Sequence, residues 1–248
     1  MTTGARTDPE ARAVEALTAA DIQHIIALVS IIVPIFPLPN LVFFPRTLLP
    51  LHIFEERYRT MTREALSGEG RIVMVLLREG WEASYYGNPA VHDVACLGQI
   101  ETSEELEDGK YNIVLSGVCR VRLVREVQSS PYRVAEVRPL ADRPWDDDSP
   151  EVIRRRNHLT GLFTRFTELV TDGKYRAPEL VPQLNFEGLV HLVATTVKLA
   201  AEQKQRILEL DDLRDRCDVL IPALRRQLEA LILVRTFEHI KPEDPRRN

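Results

Sequence analysis

The sequence predicts an α+β chain: a small β-barrel carrying one helix, followed by an all-α helical bundle lobe. Three observations predict it. Prolines at 34, 37, 39, 45 and 50 punctuate an apolar run and forbid a continuous helix before Leu51. From Ile31 to Leu140, short strand-like segments follow one another without the βαβ rhythm of a parallel sheet. Beyond Pro150 the apolar spacing becomes helical and stays so nearly to the end.

Residues 1–30 form an N-terminal extension. Asp8 and Pro9 read there as a helix start, with Val14, Leu17, Ile22, Ile25, Ile26 and Val29 as an apolar stripe. The run Pro34–Tyr58, PIFPLPNLVFFPRTLLPLHIFEERY, is extended as far as Pro50. Ile53, Phe54, Arg57, Tyr58, Met61, Thr62 and Ala65 then keep helical spacing, with His52 at the helix start and Ser67-Gly68 closing it. Asp108-Gly109 predicts a turn into Tyr111–Leu115, which places Tyr111, Ile113 and Leu115 on one face. Arg120–Leu123 alternates charged and apolar residues, as a strand with one wet face does. Ser129-Ser130-Pro131 interrupts it, and Tyr132–Val137 resumes. Five or six such strands predict a partly closed barrel over 31–141.

Residues 142–149 read as a linker: proline, an acidic run, and Ser149-Pro150 as cap and first position of a helix. The triplet Asp146-Asp147-Asp148 reads as solvated acids favouring that helix N-terminus rather than as a metal site. The helical lobe, 150–240, holds a helix ending at Asp172-Gly173, a second capped by Asn185, a short third over 202–210, and a last over 212–238 that Pro222 should kink. Residues 241–248 are a polar tail.

The ordered motifs resemble a known family. Pro34–Tyr58, Arg71–Leu77, Gly80-Trp81-Glu82, Tyr86-Gly87-Asn88-Pro89, Leu97–Ile100, Asp108–Gly117, Pro131–Val137 and Glu202–Leu213 together look like the N-terminal (LON) domain of Lon-type ATP-dependent proteases. The likeness runs over roughly residues 31–238, and Arg46 departs from it where family members often carry glycine after Phe-Pro. The resemblance implies a PUA-like barrel and a stand-alone substrate-recognition module of the peptidase S16 family.

Composition and motifs bound the function. A formal net charge of −5 argues against a nucleic-acid binder, and acids outnumber bases in 31–141. Arg120, Arg122 and Arg125 nonetheless suggest a local basic strip, so RNA binding, known for PUA-like barrels, stands as the rival reading. Three cysteines without CxxC spacing fit free thiols in a reducing cytoplasm. The apolar stretch Ile25–Phe44 contains Pro34, Pro37, Pro39 and Asn40, which no spanning helix would carry, so no membrane is expected. Gly109-Lys110 and Gly173-Lys174 are each followed by Tyr, with Glu104 and Glu168 where a phosphate-binding loop needs its first glycine. No G-x-S-x-G or H-E-x-x-H occurs, and no segment resembles the serine–lysine proteolytic region of Lon. The expectation is therefore no catalytic residue, no cofactor and no metal. The expected partner is an unfolded polypeptide or a protein. The segment Arg78–Asp93 concentrates Trp81, Tyr85 and Tyr86 between glycines, which makes these aromatics either polypeptide contacts or a cover for the barrel end.

Overall fold

Proline decides how the first strand is used. β1 (Ile31–Leu38) is antiparallel to β6 (Val134–Pro139) over Ile31–Pro34, then parallel to β3 (Arg71–Leu76) over Ile35–Leu38. Each half of β1 is thus paired along one side only, which gives Pro34 and Pro37 the edge-like environment that a residue without an N–H requires. The computed structural model of the protein describes residues 29–84, 87–172, 181 and 184–238.

The remaining strands are β2 (Leu48–Ile53), β4 (Val94–Glu105) and β5 (Tyr111–Gln128). The sheet order is β2-β5-β4-β3-β1-β6, and β6 also pairs with β5. The pairings of β5, β4, β3, β1 and β6 therefore return on themselves, with β2 attached outside. Val33, Ile35, Val73, Val75, Ala95, Leu97, Val121, Ala135 and Val137, drawn from all five of those strands, form one buried cluster. On the other face, α1 (Glu56–Ser67) lays Tyr58, Met61 and Ala65 over Phe36, Ile72, Met74 and Cys96. β3 is consequently buried on both faces, and its Ile-Val-Met-Val-Leu run carries no alternation.

The helix start differs from the sequence expectation. Ile53 and His52 belong to β2, paired with Tyr111 and Asn112, and α1 begins only at Glu56. Cross-strand pairing with the long β5 outcompetes the helical spacing of three residues. Arg46, at φ 60°, occupies the left-handed region. The glycine-type turn is kept although a side chain is present. The constraint comes from Gly117 opposite it, where an added Cβ would lie 2.2 Å from the Phe44 carbonyl oxygen.

Four helices complete the chain: α2 (Pro150–Val170), α3 (Phe186–Thr196), α4 (Ala201–Glu209) and α5 (Leu213–Glu238). Ser149 Oγ accepts from Val152 N and Asn185 Oδ1 from Gly188 N, so both predicted caps satisfy otherwise orphaned donors. At the end of α2 Asp172 is left-handed, at φ 51°; the glycine expected to close this helix, Gly173, lies outside the described residues. Pro222 lies inside α5. The helices do not form a separate core: Val42, Phe44, Leu76 and Val94 share one buried cluster with Phe163, Phe186, Leu189, Leu208, Leu220 and Leu224. Each fully buried side chain of that size is worth about 1.5–3 kcal/mol, so the cluster couples strands and helices strongly.

Candidate functional site

Three regions carry polar or exposed apolar chemistry. The first is the aromatic segment singled out above. Trp81 is half-buried on a single 3-10 turn, Trp81–Ser84, while Tyr85 and Tyr86 lie outside the described residues. The segment is pinned at both ends. Arg78 Nε donates to the Val91 carbonyl at 2.8 Å, and Arg133 Nη1 donates to the Pro89 carbonyl at 2.8 Å. His92 then stands between Glu202 and Glu209 of α4, its Nε2 3.1 Å from Glu202. The structure thus fixes the base of this loop to both the strands and the helices.

The second region is the junction where the strands meet the helices. Arg120 on β5 and Arg216 on α5 are 2% and 0% exposed, and both converge on Asp142 between β6 and α2. Arg216 takes Asp142 in a two-pronged pairing, Nη2 to Oδ1 at 2.5 Å and Nη1 to Oδ2 at 2.9 Å, and also donates to the Leu210 carbonyl. Arg120 Nε donates to the same Asp142 Oδ1 at 2.8 Å, Nη1 to the Leu208 carbonyl at 3.1 Å and Nη2 to Asp211. Arg216 Nη1 also lies 3.0 Å from His191 Nε2. That contact makes Nε2 the acceptor and leaves the ring proton on Nδ1. Burial, followed by the Arg216 and Arg120 charges, lowers the His191 pKa to about 3, so the imidazole is neutral at ordinary pH.

This junction corrects the basic strip. Arg120 does not face water but links β5 to Asp142, Leu208 and Asp211, and Arg125 is paired with Glu136 at 2.8 Å. The alternation of charge along β5 is a true sign of a strand, and Arg122 is exposed as it implies; Arg120, near the middle of β5, is covered because Asp142, Leu208 and Asp211 pack over it.

The third region is a three-stranded ribbon. Here β5 runs between β2 and the second half of β4, beyond the point where β3 stops at Gln99. Its inner face carries Ile53, Tyr111, Ile113 and Leu115 into the core. Its outer face holds an open groove of about 470 Å³ lined by Pro50, His52, Thr102, Glu104, Asn112 and Val114. His52 Nδ1 donates to Asn112 Oδ1 at 2.8 Å, and Asn112 Nδ2 donates to Glu104 Oε2 at 3.0 Å, a polar row across all three strands. Leu48 and Phe54, 66% and 60% exposed, flank that row. The sequence placed His52 on a helix and passed over the ribbon. The strong alternation of Tyr111–Leu115 was the signal that its opposite face is solvent-exposed.

Among the described residues no cluster of His, Cys, Asp and Glu is arranged to hold a metal ion, and no helix is long and apolar enough to cross a membrane. Burial raises the pKa of all three cysteines, that of Cys217 to about 12. Raised thiol pKa values describe packing groups rather than nucleophiles.

The fold is that of Lon protease N-terminal domains. The N-terminal domain of a Mycobacterium avium complex Lon protease superposes with a TM-score of 0.61 at 18% identity, over 79% of this chain and 98% of that one. A Lon N-terminal domain protein from Xanthomonas campestris gives 0.56 at 22% identity, over 77% and 98%. Residues 32–226 match the ATP-dependent protease La (LON) substrate-binding domain, and the chain belongs to that family. A Lon protease of Anaeromyxobacter dehalogenans is 29% identical over 203 residues, and Lon protease 2 of Myxococcus xanthus 30% over 206. Each match spans 82% of this chain but only 24% of the relative, so the chain spans about a quarter of the length of these relatives.

Proposed function

We propose that the chain is a non-catalytic module that binds unfolded polypeptide segments, or a protein partner presenting one, in Lon-linked proteolysis within the cytoplasm. The observation that carries this reading is the substrate-binding-domain match over residues 32–226. Exposed apolar side chains at Leu48 and Phe54 supply contact area of the kind such a partner needs. Trp81, Tyr85 and Tyr86 remain candidate polypeptide contacts within this reading.

The test is fluorescence anisotropy with a labelled, carboxymethylated protein that cannot refold, against its native counterpart. Preferential binding of the unfolded form is the expected result; equal or no binding to either removes the proposal. The same preparation should neither hydrolyse ATP nor degrade casein. Trp81→Ala separates the two roles of the aromatic loop. Loss of binding with an unchanged unfolding midpoint marks a contact, and a lower midpoint with binding retained marks a cover.

A further inference from the structure

The ribbon has two outer edges, and they are not equivalent. On β2 the pairs Leu49–Leu115 and Leu51–Ile113 are the hydrogen-bonded ones, consistent with Gly117 N donating to the Thr47 carbonyl. The backbones of Leu48, Pro50 and His52 therefore point outward. Pro50 puts a missing donor in the middle of that edge, which obstructs an incoming strand.

The far edge belongs to β4. Leu106 N donates to the Lys110 carbonyl, which fixes Glu104–Asn112 and Thr102–Val114 as the bonded pairs. Ser103 and Glu105 then direct their N–H and C=O groups away from β5. The last neighbour on this side is Gly70, whose carbonyl accepts from Ile100 N. Glu101–Glu105 is exposed throughout and contains no proline.

The charge on this edge is one-sided. Glu104 shares a face with Asn112, and Glu105 shares the opposite face with Tyr111. Glu101 sits at the register irregularity between Ile100 and Thr102. No ion pair engages Glu101, Glu104, Glu105 or Glu107 among the described residues, whereas Asp108 is paired with Lys110. A second copy paired edge to edge here would oppose carboxylate to carboxylate, and a nucleic-acid phosphate would meet the same repulsion.

We propose that the free edge of β4, Glu101–Glu105, is a strand-addition site for an extended polypeptide segment bearing lysine or arginine. The backbone of Ser103 and Glu105 supplies sequence-independent hydrogen bonds, and the carboxylates on both faces select cationic side chains. This inference rests on the polypeptide-binding reading and adds to it a location and a charge preference.

The probe is a short labelled peptide alternating threonine and lysine, with an otherwise identical threonine–glutamate peptide as control. The lysine peptide should bind at least about tenfold more tightly, the difference that two or three exposed ion pairs provide, and its affinity should fall with added salt. Ser103→Pro removes an outward N–H without touching the β4–β5 ladder and should weaken binding about tenfold, as should methylation of the peptide's own amides. The double variant Glu101→Gln/Glu105→Gln keeps the backbone edge and should erase the preference for lysine over glutamate. If Ser103→Pro disturbs folding by circular dichroism, the glutamine variant and the methylated peptide still decide the matter. Binding of the lysine peptide that is indifferent to both would overturn the proposal. So would failure to bind it while the carboxymethylated protein still binds, which would leave the edge as a guard against self-pairing. If the carboxymethylated protein also fails to bind, the polypeptide-binding reading itself falls.

Discussion

The strand–helix junction and the ribbon use charge in opposite ways. At the junction two guanidiniums, 2% and 0% exposed, are satisfied by Asp142, Asp211 and two backbone carbonyls. On the ribbon a comparable density of charge, all acidic, is left in water with its carboxylates free of ion pairs among the described residues. Buried ions are costly to leave alone and therefore come fully paired. Exposed ions are well solvated, so their lack of partners costs little and leaves them available to a ligand. The first arrangement holds a particular packing of strands against helices; the second presents a field without altering the fold.

The contrast is sharpest under substitution. Arg216→Ala should destabilise by about 3–5 kcal/mol, because Asp142, only 14% exposed, would lose half of its pairing. Asp211, 59% exposed, is the internal control: Asp211→Asn should cost about 1 kcal/mol or less despite touching the same Arg120. Urea unfolding of both variants checks the pair. Equal losses would mean that burial is not what sets the junction apart.

The junction also imposes a pH dependence that the ribbon does not. His191 is held neutral, with its pKa lowered to about 3, while in the unfolded chain it titrates near 6.5. Between those values the unfolded state binds the extra proton, so stability rises with pH across this window. It is fully present above about pH 6.5 and falls away as the medium is acidified towards pH 3. From pH 7 to pH 5 the loss from this residue should be about 2 kcal/mol. Comparing unfolding free energies of the protein and of His191→Gln at the two pH values isolates it, and an equal slope in both would remove His191 as the source.

At the foot of the ribbon, Arg46→Gly should stabilise. A side chain at φ 60° costs about 1 kcal/mol relative to glycine, and the ion pair that Arg46 makes with Glu187 is 62% exposed on the arginine side. The net gain expected is about 0.5–1 kcal/mol, read as a rise in the denaturant midpoint. A fall would mean that the exposed pair outweighs the backbone.

Sequence patterns exposed much of this fold, and for physical reasons. Ser149 and Asn185 cap helices through contacts three residues away, and the Tyr111–Leu115 alternation is local to one strand. Such signals are complete within a short window. Arg120 was misread because its partners stand 22, 88 and 91 residues further on, at Asp142, Leu208 and Asp211. His52 and Ile53 were assigned to a helix because the competitor, β5, is likewise distant in sequence. The β4 edge was invisible for a different reason: an edge is defined by where β3 stops, which nothing in Glu101–Glu105 encodes.

The smallest expected effect is the one that separates the two regions most cleanly. Glu101→Gln and Glu105→Gln, singly or together, should leave stability within about 0.5 kcal/mol, since neither carboxylate is buried or engaged in an ion pair among the described residues. Removing two negative charges from an acidic hairpin also relieves repulsion, so any shift should be towards slightly greater stability and should vanish at high salt. Thermal unfolding at low and high ionic strength reads both features in one experiment. A loss of stability comparable to that of Arg216→Ala would show the ribbon carboxylates to be structural, with partners that hold the fold, and would erase the distinction between the two regions. A neutral outcome keeps the carboxylates as surface charges whose removal can be read in binding alone.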